Sequence, residues 1–427
     1  VCARWTPPIS TGCCRPDGSA AVSDAAPEYW VERFRALDAL LYRYRHLWQL
    51  RPFHHRLLPW WETDTTLAEA LQALDEAQLT ALEGDAEGRL HWLRPWLGDA
   101  ADLLSQLVAL PLLPGRRLDI PARLDTGVPG RKWQQITAFA ARMAPRVEQP
   151  VLEWCAGKGH LGRLLAVADQ RQVVSLERDA TLCAQGQRLA AGWGASMQFH
   201  EVDVLGDAAA HFLPANGHAV ALHACGDLHT RLMTLWLSSR CERLTLSPCC
   251  YDAIAGDRYR PVSREAASSR LRLSRADLQF TQQETVTGGR ATRRRRQREI
   301  LWRLAFDEWQ RNVTGIDRYL PLPAVPYRLA RGSFGGFLRT AAALKALPPA
   351  TDLDEHHWLQ RGLQRRDLVR RIELVAHAFR RPLEIWLVLD RALLLQEQGA
   401  DVRLGTFCDY ALTPRNLLLD ARQTQHA

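Results

Sequence analysis

The sequence predicts an α/β protein: a doubly wound, mostly parallel sheet preceded by a helical region. Two observations carry this. Between residues 150 and 250, short apolar runs alternate with amphipathic segments, the pattern of strands joined by crossover helices. Between 29 and 125, apolar residues recur at helical spacing instead, as in Trp30, Phe34, Leu37, Leu41 and Tyr44. The chain has 427 residues, 47% hydrophobic and 24% charged, which supports a large core and excludes wholesale disorder. No apolar run approaches the roughly 18 residues of a membrane helix, and the first residues lack a signal-peptide pattern, so no membrane partner and a cytoplasmic setting are expected.

Taken in order, residues 1–28 are rich in Pro, Gly, Ser and Cys and read as a disordered tail. Residues 29–130 form the helical N-terminal region, with helices expected through Leu47 and over 66–83 and 99–111. The core spans 131–250. Its expected strands are 150–155, 172–176, 197–202, 218–223 and 243–248, with helices at 161–168, 180–192 and 228–238 between them. Residues 251–365 are an Arg-rich insertion, helical or irregular. Residues 366–427 return to the core through a helix near 366–398 and an antiparallel pair, Asp401–Cys408 with Asn416–Ala421.

The segment VLEWCAGKGHLGRLL joins a strand to a helix through a glycine turn. Glycine there lets the backbone approach a ligand, and the helix start offers free N–H groups. Glu153 precedes the turn, and Cys155 stands where an acid-x-G-x-G-x-G pattern has its first glycine. Cys155, Ala156, Gly157 and Gly159 are therefore candidate cofactor-cradling residues. Glu177 ends the second strand, where a carboxylate can accept both ribose hydroxyls of a nucleoside. Asp203 follows the third strand, within reach of an adenine amino group. Successive acids at successive strand ends line a switch-point crevice.

The fourth strand ends in HACGDL, residues 223–228, and the fifth in SPCCY, residues 247–251. Both face that crevice, so His223, Asp227, Cys249, Cys250 and Tyr251 are candidate catalytic residues, with His223 also near the cofactor. His223 and Asp227 are the candidate bases. Cys249 or Cys250 could instead attack a pyrimidine ring. Cys225, Cys249 and Cys250 also read as buried structural thiols. The ten cysteines hold no C-x2-C pair, so no metal is expected.

Together, EWCAGKGHLG, HACGDL and PCCY resemble a class I S-adenosylmethionine (SAM)-dependent methyltransferase. The His-Cys-Gly-Asp and Cys-Cys-Tyr pair is similar to a methyltransferase-like family that includes the glutathione S-transferase C-terminal-domain-containing protein. The tRNA ribose methyltransferases are more distant relatives. The resemblance implies a Rossmann-like, seven-stranded sheet with an antiparallel last strand, SAM as cofactor, and cofactor roles for Glu153, Gly157, Gly159, Glu177 and Asp203. It does not imply a substrate.

All but three of the 55 basic residues are arginine, and the formal net charge is +8. Arg290, Arg293, Arg294, Arg295, Arg296 and Arg298 cluster around a single Glu299, a pattern of a phosphate-tracking surface or of a solvated face. The expected function is SAM-dependent methylation of RNA, tRNA or rRNA. A protein substrate and an inactive SAM-fold binding protein are the alternatives.

Overall fold

A computed structural model describes residues 27–144, 148–283, 290–323, 332–351 and 353–424. The expected tail over 1–28 lies, except for Pro27 and Glu28, outside those residues. The chain opens with α1 (Pro27–Arg43), α2 (Arg45–Trp48), α3 (Thr65–Ala73), α4 (Glu76–Gly84), α5 (Ala86–Leu97) and α6 (Ala100–Val108). The helix expected over 66–83 is two helices. Asp75 caps α4 and shares a reciprocal capping box with Gln78, which starts a new helix rather than extending α3. The sequence reading passes over α5, whose Gly88 and Pro95 weaken the periodic signal. The apolar face of α1 buries Trp30, Phe34, Leu37 and Leu41. Then α7 (Gly130–Arg142) leads into the sheet.

Among the described residues the sheet has seven strands: β1 (Val151–Trp154), β2 (Val173–Glu177), β3 (Met197–Glu201), β4 (His218–Leu222), β5 (Arg243–Ser247), β6 (Ala400–Thr406) and β7 (Leu417–Gln423). Their order is β3-β2-β1-β4-β5-β7-β6. The first five are parallel, and β7 runs antiparallel between β5 and β6. This is the class I methyltransferase fold, with the antiparallel closing pair where it was expected. Helices α8 (His160–Ala168), α9 (Ala180–Ala191) and α10 (Asp227–Leu237) are crossovers. Every residue of β1 is buried, as in a sheet covered on both faces.

After β5, α11 (Arg264–Ser268) and α12 (Arg275–Phe280) pack back toward the sheet, while α13 (Arg290–Thr314), α14 (Phe334–Leu344) and α15 (Glu355–Ala376) gather around their own small core. Trp302, Phe306, Trp309, Phe337 and Leu338 fill it. Helices α13 and α15 run antiparallel: Gly362 fits against Ala305 and Leu301, and Arg296 faces Glu373. A buried charge cluster locks them, with Arg365 on Asp307 at 3.1 Å and on Glu308 at 2.5 Å.

The helix expected near 366–398 is α15 followed by α16 (Arg380–Glu397), joined by a tight turn at His377–Phe379. Pro382 sits in the first turn of α16, where its missing N–H costs nothing. Helix α16 is buried almost throughout, packing on α1 with Trp386 5.1 Å from Phe34. Among the described residues, no helix is long and apolar enough to cross a membrane.

Candidate active site at the carboxyl ends of the strands

The turn between β1 and α8 takes three left-handed residues, Cys155 (φ 55°), Gly157 (φ 60°) and Gly159 (φ 63°). A non-glycine at φ > 0 carries strain, so Cys155 is held there by its surroundings. The two glycines do different work. A Cβ on Gly157 would meet nothing within 4 Å, so this residue borders open space at the crevice. A Cβ on Gly159 would overlap Met197 and Phe199, and one on Gly162 would overlap the Glu153 carboxylate. Gly162 was missed from sequence, although Gly157, Gly159 and Gly162 complete a G-x-G-x-x-G spacing in which the third glycine permits close helix–strand packing.

Glu153 lies beneath the turn, 4% exposed. It accepts from Ser175 Oγ at 2.7 Å and from the Gly162 N–H. Burial raises its carboxyl from 4.5 to about 7. The structure thus sets Glu153 behind the turn, not on the open surface of the crevice. Glu177 is half-buried at the rim and accepts from the N–H groups of Gly157 (2.8 Å), Arg178 (2.9 Å) and Asp179 (3.0 Å). Asp203 is exposed beyond β3 and accepts from Leu205 N–H at 3.1 Å. Cys155 stands among these groups: burial first, then the charges of Glu177, Cys225 and Asp203, push its thiol up to about 12.

Across the switch point, His223 ends β4 in a left-handed conformation (φ 68°). Its Nε2 lies 3.2 Å from Oε1 of Gln135, on α7. Burial, then Arg415 and Lys132, lower its pKa to about 4, so the imidazole is neutral at physiological pH. The next loop is cross-braced. Gly226 is left-handed, and a Cβ there would overlap the Ala253 carbonyl. Asp227 donates its N–H to Ala253 O at 2.9 Å and accepts from Ala255 N–H at 2.7 Å through Oδ2. Asp227 therefore ties the β4 loop to the β5 loop, which occupies one carboxylate oxygen of a candidate base.

The expectation that Tyr251 faces the reacting carbon is corrected by its burial. It is 0% exposed, its hydroxyl has no hydrogen-bond partner, and its ring packs under Arg391 at 4.8 Å and against His229. Arg391 in turn donates to His229 Nε2 at 2.7 Å, and His229 Nδ1 lies 3.1 Å from Ala224 O. Tyr251 and His229 form the floor under the HACGDL loop. Cys249 is also buried, with its thiol pKa raised by its sulfur neighbours. Cys250 is half-buried, and its thiolate is favoured by hydrogen bonds from Cys225 and Cys249 and by Arg415. Of the two adjacent thiols, only Cys250 reaches the open side.

Sequence reasoning also missed Gln135, Lys132 and Arg415. They come from α7 and from the β6–β7 hairpin, which Arg131 fastens together by donating to Leu412 O at 2.7 Å. No local motif announces them, because they meet His223 only through the fold.

A family described as a methyltransferase domain matches residues 131–257. No curated protein sequence matches the chain. Among solved structures, similarity extends to an rRNA methylase from Streptococcus thermophilus, at 12% identity over 29% of this chain and 72% of that one, TM-score 0.23. Magnesium protoporphyrin IX methyltransferase from Synechocystis PCC 6803, with bound SAH, is 15% identical over 37% of this chain and 71% of that one, TM-score 0.23. The 23S rRNA methyltransferase ErmE is 17% identical over 56% of this chain and 97% of that one, TM-score 0.23. Similarities this low say nothing about substrate. The enzyme class rests on the domain match and the strand order: the chain is a methyltransferase that uses SAM. The residues fit that cofactor. Open space over Gly157 admits it, Glu177 keeps acceptor capacity beyond its three backbone donors, and Asp203 is free to meet solvent.

Proposed function

We propose that this methyltransferase modifies RNA at the crevice between the β1 and β4 loops. The observation that supports this is where the Arg-rich run stands. Arg294, Arg295, Arg296 and Arg298 are exposed at the start of α13; the side chains of Arg290 and Arg293 lie outside the described residues. Helix α13 opens eight residues after Gln282, which is hydrogen-bonded to Asp252, two positions beyond Cys250. Its antiparallel packing sets the same end beside Glu373 and His377, next to the start of α16. Arg380 there is bonded to Tyr410, in the hairpin that carries Arg415. In this reading the arginines lie on the face of the crevice, where exposed Lys158 of the glycine turn and half-buried Arg415 add positive charge. A phosphate backbone lying along that face would bring one nucleotide to the mouth.

In this reading Glu177 takes the ribose hydroxyls, Asp203 the adenine amino group, and the backbone from Cys155 to Gly159 lines the cofactor, with Glu153 holding the turn from below. SAM supplies an activated methyl group. The chain's own work is alignment and proton removal. Donation from His223 Nε2–H to Gln135 leaves Nδ1 with the lone pair, so neutral His223 accepts the proton that the acceptor sheds. The His-Cys-Gly-Asp and Cys-Cys-Tyr pair supports placement in the methyltransferase-like family named above, and the reading includes its cytoplasmic setting.

The test replaces Arg294, Arg295, Arg296 and Arg298 by Ser and titrates total tRNA and rRNA at two salt concentrations. Each lost phosphate contact should flatten the salt slope by about 0.7–0.9, with SAM affinity preserved. Identical curves, with radiolabelled methyl entering the protein fraction, would put a protein substrate in place of RNA.

A further inference from the structure

Two loops that end adjacent strands bring three thiols to one point. Cys225 follows β4, and Cys249 and Cys250 follow β5. The register, with Leu222 opposite Ser247, sets the loops side by side. The three Sγ atoms lie within 4.8 Å of one another, with Cys225 and Cys249 at 3.4 Å. In a tetrahedral thiolate site with metal–sulfur bonds of about 2.3 Å, the sulfurs stand about 3.8 Å apart. One pair at 3.4 Å and the whole set within 4.8 Å stand close to that spacing, so small side-chain rotations close the site.

The frame is stiff enough to hold such a set. Gly226 is seated against the Ala253 carbonyl, and Asp227 bonds to both Ala253 and Ala255. From below, Arg391 and His229 fix the Ala224 carbonyl. Burial is graded across the cluster: Cys249 is enclosed, while Cys225 and Cys250 are half-buried. The open side is therefore the crevice side. Three thiolates on a divalent ion carry a net charge of −1, and Arg415 acts on Cys250 from close by with the complementary charge.

We propose that Cys225, Cys249 and Cys250 form a three-thiolate site for a thiophilic divalent cation, zinc, with a fourth position open to the crevice. Binding forms three S–Zn bonds and releases to solvent the protons that the thiols still carry, with no change of oxidation state. Sites with three protein ligands are those that keep an exchangeable fourth position, here filled by water. A disulfide would pair only two of the sulfurs and leave the third without a role. The ligands come from two strands 24 residues apart, which is why no C-x2-C spacing marks the site in the sequence.

The experiment uses the full chain, expressed with zinc and purified under reductant. Elemental analysis should find one zinc per chain, and absorption at the zinc edge should find three sulfurs at about 2.3 Å. The metal-free protein titrated with cadmium should develop a thiolate-to-metal charge-transfer band. That band should fall by about a third in Cys225→Ser and in Cys250→Ser, and stay unchanged in Cys183→Ser and Cys408→Ser, which lie outside the cluster. Far-UV circular dichroism shows whether each variant folds; if one does not, the sulfur count of the wild-type protein decides alone. Zinc-free protein that gives no cadmium band would overturn the proposal, as would a full band in both cluster variants. No readout depends on methyl transfer or RNA, so this inference and the RNA reading fail separately.

Discussion

Replacing Glu153 by Gln should make the protein more tolerant of alkaline pH. In the folded state burial raises this carboxyl from 4.5 to about 7, and only the Ser175 hydroxyl, the Gly162 N–H and the distant charges of Lys132 and Arg163 favour its ionised form. In the unfolded chain it titrates at its ordinary value. A carboxyl raised on folding contributes stability that is fully present below pH 4.5 and is lost as pH climbs through 7. At about 1.4 kcal/mol per tenfold, the loss approaches about 3 kcal/mol by pH 8, and about 2.5 kcal/mol of it falls between pH 5 and pH 8. Glutamine has nearly the same shape and keeps an oxygen for Ser175 and Gly162, but it does not titrate. Its advantage over the wild type should therefore grow by about 2.5 kcal/mol across that range. Urea unfolding of both proteins at pH 5 and pH 8 measures this, since every other titrating group is common to the pair. A stability difference that is the same at both pH values, or that moves against Gln on going to pH 8, would show that Glu153 is not a buried, largely neutral acid.

Three further outcomes test the site. Gly226→Ala forces a Cβ onto the Ala253 carbonyl and a left-handed alanine, so it should cost about 3 kcal/mol or more of stability and lower the thermal midpoint. Gly157→Arg meets open space and should leave the far-UV spectrum intact, yet abolish SAM binding by calorimetry; unchanged affinity would move the cofactor elsewhere. His223→Gln should cut turnover by about 10²–10⁴ with SAM affinity unchanged. Because the His223 pKa lies near 4, the wild-type rate should stay flat from pH 8 down to 6 and fall only in more acidic buffer. A limb at 6.5 would refute a buried neutral histidine.

Strands β1, β2, β4 and β5 were legible because they are largely buried and read as short, mostly apolar runs; the edge strand β3, MQFHE, is only partly buried. Once the strands are placed, the positions of Glu177 and Asp203 at their carboxyl ends follow from counting. What lies past a strand end is harder to read. Side-chain direction there depends on the path of the loop, so Tyr251 turned into the floor while Cys250, one residue earlier, stayed at the mouth. Contacts that close the site across the chain were invisible: Gln135 meets His223 from 88 residues away. Gly162 belongs to the same glycine spacing, but its role, leaving room for the Glu153 carboxylate, depends on the helix behind the turn rather than on the turn itself. The two strand ends place Cys225, Cys249 and Cys250 at one mouth, but only the folded loops show that their Sγ atoms come within 4.8 Å of one another.

The place of β7 in the sheet has a consequence for how the protein is made. This strand is translated last of the seven, yet it fills an interior position between β5 and β6. On the ribosome, β5 is complete about 170 residues before its partner exists, which at about 5–20 residues per second leaves its edge open for about 10–30 s. Through that interval Leu244 and Leu246 flank a row of unpaired N–H and C=O groups, the kind of edge that recruits strands from other nascent chains. Arg415 and the Leu412 carbonyl arrive with the same hairpin, so the candidate site is completed in the step that closes the sheet. Truncation ahead of β7 would thus leave an aggregation-prone edge as well as an incomplete site, and a chaperone that shields β5 during synthesis would raise the yield of folded protein.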